Sequence, residues 1–149
     1  MVELDSYQND VLRQRFDLED GTYILELNYA ARSGFVKTSE MSISWNGQKV
    51  KIIKGEDDQI HSLRVPLSAV RGKNVLEIAG EGASDTYGMT IANVRLFRDQ
   101  EASKIWEVRN NFKERYNLVK NGDFSQNFIG SGEWIITNSL PGWQVLRQV

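Results

Sequence analysis

Cysteine is absent from all 149 residues, so disulfides, thiolate metal sites and a cysteine nucleophile are excluded. The fold must hold by packing alone. Histidine occurs once, as His61 beside Ser62 in an alternating stretch with no nucleophile motif, which argues against a catalytic triad. Neither charge predominates: 18 Lys and Arg stand against 20 Asp and Glu, a net charge of −2. That balance lacks the electrostatic footprint of a nucleic-acid partner or an anionic membrane surface. No apolar run approaches the roughly 18 residues of a membrane span, and no basic and apolar leader is found at the start. The glycines Gly80 and Gly82 follow a strand-like run without the third glycine of a dinucleotide fingerprint, and no Walker-type sequence occurs. Nor does the sequence single out a glycosidase pair, because any two of its 20 acidic residues could be nominated.

What remains is a chain of one ordinary domain's length, with 40% apolar and 26% charged residues. From Val11 to Phe97 the dominant signal is period-two alternation broken at short intervals by turn residues, which predicts an antiparallel sandwich or barrel. The run from Thr22 to Ala31 is the clearest strand, with Tyr23, Leu25, Leu27 and Tyr29 on one face. Asn46-Gly47 joins Met41–Trp45 to Lys49–Ile53, and both residues suit the left-handed backbone of a tight hairpin turn. Further strands are predicted at Ile60–Val65, which Pro66 should end, at Asn74–Ala79 and at Gly88–Phe97. Beyond Phe97 the period changes. Asp99 reads as an N-cap, and Ile105, Val108, Phe112 and Tyr116 recur at helical spacing, which predicts one amphipathic helix of about four turns near residues 100–115.

Several stretches carry a resemblance. They are Val2-Glu3-Leu4-Asp5, Leu12–Phe16, Gly21–Arg32, Ile43–Gly47, the loop Gly82-Ala83-Ser84-Asp85-Thr86-Tyr87-Gly88 and the strand Ile91–Leu96. Over residues 2 to 97 the chain resembles the galactose-binding-like, carbohydrate-binding jelly-roll modules of bacterial surface proteins and plant cell-wall proteins. Asn117–Ser125, running on to Leu140-Pro141-Gly142-Trp143, resembles the opening of such a module, yet here it follows the module body. The expected organisation is therefore a jelly-roll body at 1–98, a connecting helix at 99–116 and an opener at 117–149. That last segment either completes the same sandwich in permuted order or exchanges with a next repeat.

The resemblance implies a noncatalytic carbohydrate-binding module, extracellular or at a cell surface. The alternative is a structural or adhesion repeat whose partner is a neighbouring module or chain. Sugar sites use aromatic rings against pyranose faces with polar side chains beside them. On that chemistry the candidates are Asp85 and Tyr87 in the loop between two strands, Arg32 just after its strand, and Trp45 at a strand end. A core role competes for Trp45, and a turn-capping role for Asp85. The resemblance also implies a structural calcium ion held by carboxylates of the chain start, here Glu3 and Asp5. Ala92 stands where relatives carry a further aspartate. The acidic tip Glu56-Asp57-Asp58 lacks the spaced ligands of a calcium loop and reads as a charged hairpin end.

Overall fold

The computed structural model describes residues 1–5, 8–85, 87–99, 117–126 and 139–147. Along the chain its strands are β1 (Val2–Glu3), β2 (Asp10–Leu18), β3 (Gly21–Ala30), β4 (Glu40–Trp45), β5 (Gln48–Lys54), β6 (His61–Ala69), β7 (Gly72–Gly80), β8 (Thr90–Arg98), β9 (Ser139–Leu140) and β10 (Trp143–Arg147). They form two antiparallel sheets, in the orders β1-β8-β3-β6 and β5-β4-β7-β2-β10-β9. The chain crosses repeatedly from one sheet to the other, as jelly-roll sandwiches do.

Alternation builds the core. Leu12, Phe16 and Leu18 from β2 face Tyr23, Leu25 and Leu27 from β3, joined by Met41, Ile43 and Trp45 from β4 and by Leu76 and Ile78 from β7. Ile24 and Phe97 alternate with these positions and form a separate buried pair across the β3–β8 ladder. Each fully buried apolar side chain of this size contributes about 1.5–3 kcal/mol.

The segment near the C-terminus shares this core through Val119, Phe124, Leu140 and Trp143. β10 pairs with β2 from Gln144–Arg13 to Arg147–Asp10. Residues 117–122 run beside β8, where Leu118 N donates to Leu96 O and Val94 N donates to Gly122 O. The indole N–H of Trp143 donates to Asn121 O, and the Asn121 amide donates to Pro141 O, which locks the two pieces together.

Two expectations need correction. The fold was expected to include one four-turn helix; among the described residues the elements are strands and one 3-10 turn, η1 (Val36–Thr38), with no α-helical element. Residues 100–116, where the helix was expected, lie outside the described residues. Helical spacing of apolar residues is a weak signal by itself, because a short helix is marginal in water without tertiary packing. Pro66 does not end its strand either. β6 continues through it to Ala69, with Pro66 opposite Ile24. Because β6 is the outer strand of its sheet, one flank needs no donor, and proline is tolerated there.

The registers give the sandwich two unlike ends. Tyr29 lies opposite both His61 and Ile91, Glu40 opposite Lys54, and Met41 opposite Gly80. The end of β3, the start of β4, the end of β5, the starts of β6 and β8 and the end of β7 therefore lie together. This end carries the long loops 31–39, 55–60 and 81–89. The opposite end carries short turns: Glu19-Asp20, Asn46-Gly47 and Val70-Arg71. Asn46 and Gly47 take φ of 51° and 84°, the left-handed pair of a tight hairpin. No helix of the described residues is long and apolar enough to cross a membrane.

Candidate functional site at the long-loop end

Leu4 N donates to Met89 O, and Asp10 N to Leu4 O, so the chain start is stitched against the beginnings of β8 and β2. From there Glu3 Oε1 accepts Gly88 N at 2.9 Å, and Asp5 Oδ2 accepts Asp85 N at 3.0 Å. Asp85 Oδ1 in turn accepts Tyr87 N at 3.1 Å, closing an Asx-type turn inside the loop. The Asn9 amide donates to Gly82 O at 2.6 Å. These bonds fix the loop that presents Tyr87.

The 31–39 loop meets it from the other side. Ser39 Oγ accepts Arg32 N and donates to Phe35 O, and Phe35 N donates to Arg32 O, which folds the loop back on itself. Gly82 is required where the two loops touch, because a Cβ there would collide with the Thr38 carbonyl oxygen. As a result Phe35 and Tyr87 stack with centroids 3.8 Å apart and planes at 16°. The Arg32 guanidinium lies 5.6 Å from the Tyr87 centroid and meets Glu3 Oε2 at 3.3 Å. Phe35 remains 37% exposed. A shallow recess of about 350 Å³ lies against Gly34, Phe35, Val36, Lys37 and Thr38.

The structure thus brings together Arg32, Asp85, Tyr87, Glu3 and Asp5, residues scattered over 85 positions of sequence. It does not bring Trp45 to them. Trp45 is 5% exposed, donates its indole N–H to Ser68 O at 2.9 Å and packs with Phe16 at 6.3 Å. It also lies at the short-turn end of β4, ~17 Å from that strand's start at ordinary strand rise. Trp45 is a core residue, and its candidacy for ligand contact is withdrawn. Phe35 is the residue that sequence reasoning missed. The signal for it was an aromatic ring within Ser33-Gly34-Phe35, a loop that no core pattern claims.

Glu3 and Asp5, the carboxylates expected to hold calcium, both carry protein partners in this structure. Calcium takes six to eight oxygens, whereas Glu3 is committed to Gly88 N and Arg32, and Asp5, 1% exposed, accepts Asp85 N. Among the described residues no group of three or more His, Cys, Asp or Glu side chains is gathered to hold a metal. A guanidinium supplies the positive charge at this corner.

Three described carboxylates are held below their ordinary range by hydrogen bonds. The His61 ring and then Gln59 N hold Asp57 below its ordinary range. Burial pushes Glu81 up, yet the Ser42 hydroxyl and Lys49 ammonium outweigh it and leave it low. Ser125 hydrogen bonds lower Asp123.

No protein family and no curated protein matches this sequence. Among solved structures, a family 35 carbohydrate-binding module from an environmental isolate aligns at 12% identity and a TM-score of 0.48, covering 64% of this chain and 69% of that one.

Proposed function

We propose that the chain is a noncatalytic carbohydrate-binding module of a larger surface or secreted protein, taking its ligand at the corner formed by Arg32, Phe35 and Tyr87. The observation that carries this reading is the half-exposed Phe35–Tyr87 stack with a guanidinium beside it. An aromatic face receives the C–H side of a pyranose, and the forked N–H donors of arginine reach its hydroxyls. Glu3 and Asp85 hold the platform in place, so it needs little ordering when a ligand arrives. Binding of the chain to an array of plant, algal and bacterial polysaccharides tests it. Phe35→Ala and Arg32→Ala should each lower binding at least about tenfold, the equivalent of one lost stacking or charge-assisted contact, with circular dichroism unchanged. Retained binding in both variants would sink the reading.

A second reading, a structural or adhesion repeat, draws on the exposed apolar residues Val50 and Ile52 of the outer strand β5 and on Ile60. Lys49, Lys51 and Lys54 on the same strand oppose it, since edge lysines discourage strand pairing. Light scattering that stays monomeric as concentration rises would exclude it.

A further inference from the structure

A second concavity opens at the same end, between the two sheets. Tyr29 continues the inner face of β3 past Leu27, and His61 stands directly opposite it on β6. Their rings stack with centroids 5.4 Å apart and planes at 26°. Ile53 enters from β5 of the other sheet, and Ala31 and Met89 also line the cleft. Lys51, Lys54, Glu56 and Asp57 supply its charged groups, with Ile52 and Gly55 between them, around a space of about 220 Å³. Asp57 Oδ1 meets His61 Nε2 at 2.7 Å and accepts Gln59 N at 2.9 Å, which fixes both the ring and the loop that rims the cleft.

Two features decide what such a cleft takes. Its volume falls below the roughly 300–1,000 Å³ of sites for drug-sized ligands, which limits it to a single ring. Two ammonium groups are balanced by two carboxylates, so no net charge is selected, while donors and acceptors surround an aromatic wall. We infer that the mouth between the sheets, walled by Tyr29 and His61, is a second binding site that takes one terminal, uncharged sugar ring. This inference rests on the carbohydrate-binding reading above but uses none of the residues of the Arg32–Phe35–Tyr87 corner. Ala31 and Met89 in the cleft are chain neighbours of Arg32 and Gly88 at the corner, so a branched or folded-back saccharide could touch both.

Because His61 is the only histidine, its ring resonances give an unambiguous reporter by proton–carbon NMR. The probes are the methyl glycosides of galactose, glucose and xylose, with galacturonate as the charged comparison, titrated into the whole chain. At least one neutral glycoside should shift the His61 signals saturably and more tightly than galacturonate. Asp57→Asn and Lys51→Ala should weaken that shift about threefold to tenfold, the worth of one directional contact, while Arg32→Ala leaves it in place. Unmoved His61 signals with every probe overturn the cleft, and so does a preference for galacturonate. Shifts confined to Phe35 and Tyr87 would overturn the cleft while sparing the corner. Shifts confined to His61 and Tyr29 would support the cleft and remove the corner.

Discussion

The two ends of this sandwich are made from the same strands and yet differ in the length of their connections and in what those connections present. At the short-turn end the turns are two residues long: Asn46 and Gly47 adopt left-handed φ, Trp45 and Phe16 plug the core behind them, and Asp20 and Asn46 accept the backbone N–H groups of Arg71 and Val75. At the long-loop end, loops from distant parts of the chain are bound to one another by side-chain to backbone hydrogen bonds, by an arginine–carboxylate pair and by one close backbone approach at Gly82. The first arrangement keeps its tryptophan in the core, 5% exposed, and so offers no indole face to a ligand. The second gathers aromatic, cationic and carboxylate groups in a fixed relation, which is what recognition needs.

The largest test of this contrast is at the short-turn end. Trp45→Ala should lower stability by about 3–5 kcal/mol in urea denaturation, as for a buried tryptophan truncated in a core. Saccharide binding by the fraction still folded should be unchanged. A loss of binding without a loss of stability would return Trp45 to the ligand site. Gly82→Ala should come next, at about 1–3 kcal/mol, because the added methyl meets backbone that cannot rotate away. Its signature is displacement of the Phe35 and Tyr87 ring signals together. Gly47→Ala should cost about 1–2 kcal/mol through φ alone, since no atom lies within 4 Å of the new Cβ. Loop-end resonances should not move; if they do, the ends are not independent.

Calcium gives a further comparison. An ion bound at a hundred times its dissociation constant would add about 2.7 kcal/mol of stability, so the melting temperature in calcium and in EDTA should coincide. A rise of several degrees with calcium would show that Glu3 and Asp5 exchange their amide and arginine partners for metal. The smallest effect concerns acid. Glu81, held below its ordinary 4.5 mainly by Ser42 and Lys49 against the upward push of burial, contributes stability above that value and loses it as the pH falls through its folded value. The stability gap between the wild type and Glu81→Gln should therefore narrow below pH 4.5. A gap that stays constant with pH would assign the effect to packing.

Much of the sandwich was legible because its signals are local. The alternation of Tyr23, Leu25 and Leu27 requires only the two-residue pleat, and the Asn46-Gly47 hairpin requires only the φ preferences of two side chains. Pro66 was misread because its meaning depends on whether a strand has one neighbour or two, which no window of sequence contains. The helix expected near residues 100–115 rested on an N-cap at Asp99 and on apolar spacing, and it falls outside the described residues. Trp45 and Tyr87 are both aromatic residues beside turns, and nothing in their immediate sequence says that one faces the core and the other a loop cluster. Phe35 had no pattern to announce it, since its partner Tyr87 is 52 residues away and only the close approach of the two loops joins them.

By itself, then, the sequence determined an all-β chain without disulfides, the faces of its strands and the position of its tightest turn, because these follow from backbone preference and apolar period within a few residues. Only the tertiary structure decided which end of the sandwich gathers chemistry, that Glu3 answers Arg32, and that Phe35 lies on Tyr87. Those contacts exist only once strands far apart in sequence are set in register.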